Sequence, residues 1–281
     1  MTSGDVLRLL TDSGDEEALV DARILCEELE GEALSLAAER RAKGEPLAYI
    51  RGHRHFWRED YKVLPGVLIP RADTEILVEC ALRFCGFHDM AAGDVLSVPV
   101  SGISDNIRMA DLCTGTGCAG ISLANELLSH DIMVKGILTD ISDAAIKTAG
   151  LNIEGQLKDP SALEVIRQDI LKDELPGKYD LIITNPPYIT DAEMEELDDG
   201  VKEHEPDLAL RGGPDGLVFY ETIFKKSFEA LVPGGAVFAE HGYLQGEAVR
   251  ELCIRAGFET VGTVRDYGGN ERVTWGIKHA G

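Results

Sequence analysis

The chain predicts an α/β fold: a seven-stranded, mostly parallel sheet with helices on both faces, preceded by a small helical unit. Three observations carry this. From Ile107 onward, short apolar runs alternate with segments of helical period, the pattern of strands linked by crossover helices. A glycine-rich turn, Gly115 to Gly120, follows the first of those runs. Residues 1 to about 43 show helical spacing only.

In that first stretch, Ser13-Gly14-Asp15-Glu16 fits a capping box, and Ala18, Ala22, Leu25 and Leu29 follow at helical spacing. Gly31 separates a second helix carrying Leu34, Ala37 and Ala38, and Gly44-Glu45-Pro46 ends it. Residues 47 to 70 read as extended linking strands, and Thr74 to Phe84 as a helix. Residues 86 to 106, rich in Gly, Ser and Asp, read as a loop or insertion. The expected strands are Arg108–Cys113, Met133–Thr139, Glu164–Arg167, Tyr179–Thr184, Ala236–Glu240, Glu259–Arg265 and Arg272–Ile277. Helices fit Gly117–Ser129, Asp143–Ile153, Phe219–Leu231 and Leu244–Ala256. The expected boundary falls near residue 70, with a helical unit and linker over 1–70 and the α/β unit over 71–281.

With 50 Asp and Glu against 27 Lys and Arg, the formal net charge is −23. Nucleic-acid affinity rests on neutralising phosphates, so this balance disfavours a stand-alone DNA or RNA binder. The six cysteines are scattered without a C-x-x-C pair, and no metal-ligand spacing occurs. No apolar run approaches the ~18 residues of a membrane helix. A cytosolic protein with reduced thiols and no metal is expected. Arg51, His53, Arg54, His55 and Arg58 form a basic cluster beside Phe56 and Trp57; it reads first as a solvated linker face paired with nearby acids.

The first strand runs into Asp111-Leu112-Cys113-Thr114-Gly115-Thr116-Gly117. Glycines let the backbone turn tightly against a ligand, and the next helix begins with unpaired N–H groups. Asp140 ends the second strand, where a carboxylate can accept both hydroxyls of a ribose. Asp169, followed by Ile170 after the third strand, is placed to accept from an adenine amino group. Gly115-x-Gly117-x-x-Gly120 with an acid 20 residues on also matches a dinucleotide fingerprint.

The fourth strand decides between a dinucleotide and a methyl donor, because it ends in Asn185-Pro186-Pro187-Tyr188. Pro187 cannot continue a ladder, and Pro186 is pushed toward an extended conformation. The Asn185 side-chain oxygen and the Pro186 carbonyl then form two acceptors beside an aromatic face, which suits a planar –NH2 group. Holding both N–H groups of an amide or exocyclic amine favours charge build-up on nitrogen as it attacks a sulfonium methyl; Tyr188 can stack on the plane and exclude water. That chemistry leaves base and amide both open as substrates.

Longer motifs narrow the choice. Pro46-Leu47-Ala48-Tyr49-Ile50, Ile69-Pro70-Arg71-Ala72-Asp73-Thr74-Glu75, Glu205-Pro206, Gly212-Gly213-Pro214-Asp215-Gly216-Leu217, Glu240-His241-Gly242 and Asp266-Tyr267-Gly268-Gly269-Asn270-Glu271-Arg272 accompany the tetrapeptide. Over nearly its whole length the chain resembles the peptide chain release factor glutamine methyltransferase family. The resemblance implies a Rossmann-like methyltransferase domain that uses S-adenosyl-L-methionine and releases S-adenosyl-L-homocysteine. It also implies, as protein substrate, the Gly-Gly-Gln loop of release factors, with no direct nucleic-acid partner, no membrane association and a monomeric state. By position it assigns Cys113, Thr114, Gly115, Thr116, Gly117, Asp140 and Asn185 to cofactor, and Asn185, Pro186, Pro187 and Tyr188 to the glutamine. Cys113 stands where the family usually has glycine. Asn-Pro-Pro-Tyr alone is shared with adenine-N6 methyltransferases of DNA and RNA, the alternative reading.

Overall fold

The computed structural model describes residues 1–87, 97–101 and 104–279; much of the expected 86–106 loop lies outside the described residues. The sheet strands are β1 (Asn106–Leu112), β2 (Met133–Asp140), β3 (Leu163–Arg167), β4 (Tyr179–Thr184), β5 (Leu231–Glu240), β6 (Thr260–Arg265) and β7 (Glu271–Ile277). They lie in the order β6-β7-β5-β4-β1-β2-β3. The pairs β3/β2, β2/β1, β1/β4 and β4/β5 are parallel, whereas β7 is antiparallel to both β5 and β6. The chain builds outward from β1 first to one side and then, through β4, to the other, so the carboxyl ends of β1 and β4 flank the point where the order reverses. Crevices for ligands form there in open α/β sheets.

Alternation along the strands feeds two cores. Met109, Leu181, Ile183, Ala236 and Phe238 face the helices Glu75–Phe84 and Cys118–Ser129. Ala110, Leu112, Ile182, Val237 and Ala239 face Tyr220–Ala230 and Gly246–Arg255. Strands buried on both faces explain the near-continuous apolar runs of β4 and β5. The helix at Glu75 enters through a 3-10 turn, Ala72–Thr74, one residue later than its sequence pattern suggests.

Two expectations need correction in the first 70 residues. Ser13 starts no helix. It ends Ser3–Asp12, with its hydroxyl donating to Leu10 O at 2.8 Å, because Gly14 at φ +85° turns the chain away directly after it. The capping box lies instead at Thr2 and Asp5. Residues 47–51 are helical, not extended: Pro46 accepts from Tyr49 N and Ile50 N, and Gly52 at φ +79° closes the turn. Extended structure begins only with the hairpin His53–Phe56 and Glu59–Lys62.

The helices Ser3–Asp12, Ala18–Glu28 and Gly31–Arg41 share a core of Val6, Leu10, Leu25, Leu34 and Ala38. The hairpin packs on the sheet's own helices, with Tyr61 fully buried and its hydroxyl 2.7 Å from Ser122 Oγ. Three members of the basic cluster are paired with acids: Arg51 with Glu28, His55 with Asp60 at 3.3 Å, and Arg58 with Glu126 at 2.9 Å. All six cysteines are free thiols. Among the described residues no helix is long and apolar enough to cross a membrane.

Candidate active site

A cavity of about 210 Å³ opens at the carboxyl ends of β1, β2 and β4. Cys113, Thr114, Gly115, Thr116, Asp140, Asp169, Ile170, Asn185 and Pro187 all line it. Gly115 and Gly117 have φ of +56° and +83°, the left-handed region that glycine reaches at least cost. Cys113 also sits there, at φ +56°, so a β-carbon occupies a backbone position normally given to glycine. Gly117 is the N-cap of Cys118–Ser129, whose first turn faces the cavity through Cys118 and Ala119.

Two carboxylates brace this loop. Asp140 accepts from Gly115 N through Oδ2 and from Ser142 N through Oδ1, each at 2.9 Å. Burial pushes its pKa up, while those backbone donors hold it down. Ser142, not Asp140, caps the following helix, which leaves Asp140 at the cavity wall. Asp111 accepts from Thr114 Oγ1 at 2.6 Å and Gly120 N at 3.1 Å, and burial raises its pKa to about 7. A Cβ on Gly120 would come within 2.8 Å of that Oδ2, so only glycine admits the carboxylate here. Asp169 is held by Lys172 at 2.7 Å, which lowers its pKa, and by Leu171 N at 3.0 Å. Gln168, which sequence reasoning missed, also lines the cavity and keeps a buried, unpartnered Oε1.

The tetrapeptide divides. Asn185 and Pro187 line the cavity; Pro186 is buried and, like Tyr188, does not. Tyr188 packs against the second core, and burial raises its pKa. Asn185 Nδ2 donates to Thr74 Oγ1 at 3.1 Å. After the Pro-Pro step, Ile189–Thr190 pairs in parallel with Arg211–Gly213, a small sheet too short to leave a periodic signature.

Five remote segments converge behind the tetrapeptide. Gln245 Nε2 donates to Tyr188 O at 2.9 Å. Gly212 and Gly216 abut the Tyr188 backbone: a Cβ on Gly212 would lie 2.7 Å from Tyr188 Cα, and one on Gly216 2.2 Å from Tyr188 O. Arg272 pairs with Asp266 at 2.9 Å and Asp73 at 3.3 Å. Buried Glu205 takes Ile69 N at 3.1 Å and pairs with Arg71, latching the linker over the cavity. His241 is fully buried, its two ring nitrogens near Gly242 O and Thr274 Oγ1, and burial lowers its pKa to about 4. A ring so engaged and neutral is packed, not poised as a base. None of these contacts could be inferred from local spacing; the motifs that supply them could be recognised only as a set.

The family model "Methyltransferase small domain" matches residues 96–199. The chain is 37% identical over 251 residues to the release factor glutamine methyltransferase of Haemophilus influenzae, spanning 87% of this chain and 80% of that protein. It is 38% identical over 241 residues to that of Salmonella typhimurium, spanning 85% and 77%. It is 35% identical over 280 residues to that of Agrobacterium fabrum, spanning 93% and 91%. The chain belongs to the release factor glutamine methyltransferase family. In this member of the release factor glutamine methyltransferases, the glycine turn and the end of β4 open into one cavity. Of the acids that follow the tetrapeptide at 191–199, Asp191 pairs with Arg211 at 2.7 Å, while Glu193 and Asp198 accept from backbone N–H groups at helix N-termini.

Proposed function

We propose that this protein transfers a methyl group from S-adenosyl-L-methionine to the side-chain amide nitrogen (N5) of the glutamine in the Gly-Gly-Gln loop of release factors, modulating translation termination. The observation that carries the reading is Asn185 at the end of β4, in the cavity wall, with its Nδ2 committed to Thr74. An amide whose NH2 end is engaged by the protein turns its oxygen outward as an acceptor. The cavity suits the methyl donor: a wall carboxylate, Asp140, for vicinal hydroxyls; Ile170 and Leu171 for a flat base; Thr114 and Thr116 on the glycine turn for an amino-acid tail. When bound, S-adenosyl-L-methionine supplies an electrophilic sulfonium methyl.

The protein's own residues orient and desolvate. Asn185 Oδ1 accepts one N–H of the glutamine amide at the cavity wall, we assign the other to the carbonyl of Pro186, buried directly behind it, and Pro187 shapes the wall. Tyr188, packed on the second core behind the cavity wall, backs the tetrapeptide and stays protonated, as burial favours the neutral phenol; we assign its ring to the outer side of the amide plane. Positioning of this kind needs no strong base. We assign substrate recognition to the helical unit within residues 1–70 and methyl transfer to 71–281. A cytoplasmic monomer without a nucleic-acid partner fits the net charge of −23. The test offers methyl-labelled S-adenosyl-L-methionine with a release factor or with ribosomal RNA. Label in the glutamine peptide is expected; label in RNA alone would replace this reading with the adenine-N6 one.

A further inference from the structure

Glu240 ends β5 beside Asn185, because Ala239 pairs with Thr184 in the register of β4 and β5. It is 1% exposed, does not line the cavity, and its Oε2 has no hydrogen-bond partner. A buried carboxylate with an unpaired oxygen is costly and calls for an explanation. Its neighbours supply one. The side chains of Thr74 and Asn185 both stabilise the carboxylate, and Thr74 is the hydroxyl that accepts from Asn185 Nδ2. A hydroxyl that accepts from an amide has its own proton to donate, and a carboxylate is the acceptor that fixes its direction.

An asparagine amide has two ends of nearly equal size and opposite hydrogen-bonding sense. If the NH2 end faced the cavity, a substrate –NH2 would meet donors instead of an acceptor. Packing alone barely distinguishes the two orientations; a carboxylate does. We propose that Glu240, acting on Asn185 directly and through Thr74, is the positioning residue that keeps the Asn185 oxygen turned toward the substrate amide. This rests on the reading above that Asn185 holds that amide.

Only the ionised carboxylate has the required polarity. Protonated Glu240 becomes a donor, releases Thr74 from its fixed direction and lets the Asn185 amide turn over. The groups around it set the balance. Arg272 on β7 favours the carboxylate, though it is shared with Asp266 and Asp73; Asp73, in the turn before the Glu75 helix, disfavours it. Tyr188, Tyr220 and Cys118 sense its charge, and burial keeps each protonated. Neighbouring His241 is kept neutral. Burial raises the pKa of Glu240 to about 7, so its ionisation falls where turnover is measured.

The experiment compares wild type, Glu240→Gln, Thr74→Val and Thr74→Ser with release factor as substrate and S-adenosyl-L-methionine at saturation. Wild-type kcat is expected to rise with pH through the neutral range. Glu240→Gln is expected to lose about tenfold to hundredfold in kcat and to lose that pH dependence, with cofactor affinity within about threefold of wild type. Thr74→Val should lose kcat comparably, and Thr74→Ser should recover most of it. Wild-type kcat in Glu240→Gln, or a reduced kcat that keeps the wild-type pH profile, overturns the proposal. Should Glu240→Gln fail to bind cofactor, wild-type kcat in Thr74→Val overturns it alone. Full turnover in Asn185→Ala would remove the reading beneath; an inactive Asn185→Ala beside an unaffected Glu240→Gln would remove only this inference.

Discussion

The two ends of the cavity are built in opposite ways. The cofactor end is local: Asp111, Thr114, Gly115, Gly120 and Asp140 bond one another across 30 residues of one β-α-β unit. The chemical end is assembled from afar, with Thr74, Gly212, Gly216, Glu240 and Gln245 brought to Asn185 and Tyr188 from segments up to 111 positions away. A locally built site tolerates damage elsewhere. A convergent one fails when any contributor shifts, because orientation depends on all of them.

That contrast can be broken by kinetics. Asn185→Ala should have the largest effect, a loss of roughly 10³-fold in kcat, since it removes a preorganised acceptor at the reacting nitrogen. Cofactor affinity by calorimetry should fall far less; equal losses in both would erase the division between the ends. Gly216→Ala comes next. Its Cβ would stand 2.1 Å from Gln245 Nε2 and 2.2 Å from Tyr188 O, at a φ of +72°. A stability loss of about 2–4 kcal/mol and a kcat loss of about 10²-fold are expected, with cofactor affinity near normal. Thermal unfolding and binding isotherms check both parts.

Asp140→Asn probes the other end. Its amide NH2 must oppose Gly115 N or Ser142 N, so the turn loosens and a charge-assisted acceptor is lost. Cofactor affinity should drop about tenfold to hundredfold, while kcat at saturation stays within a few-fold. A kcat effect larger than the affinity effect would show that the ends are coupled. The smallest effect belongs to Cys113→Gly. Releasing a side chain from φ +56° recovers about 1 kcal/mol against the packing lost, for a rise of about 2 °C in Tm. Cofactor affinity should hold or tighten. A fall in Tm would mean that the thiol's contacts outweigh its backbone strain.

The same contrast explains what could be read in advance. The β1 turn, Asp140 and the β4 terminus were legible because each depends on spacing within one strand-turn-helix unit. All seven strands overlap their apolar runs, and in the central strands β1, β4 and β5 burial on both faces leaves a near-continuous signal. Ser13 misled because a serine before acidic residues serves a helix end as readily as a start when glycine follows. Residues 47–51 misled because five residues are too few for a period. Thr74, Glu240 and Arg272 carried no local sign of their role, since burial beside Asn185 is a property of the fold and not of the flanking residues. Gln168 gave no sign either: a glutamine after a strand is ordinary until its Oε1 is seen buried.

The contact of Gly212 and Gly216 with Tyr188 is main chain on main chain. Such a seam offers no graded choices, because the step from glycine to the next smallest residue already exceeds the space. Room for a larger or smaller side chain lies beside the seam instead, where Val218, Tyr243 and Leu244 are exposed by 46%, 56% and 77%.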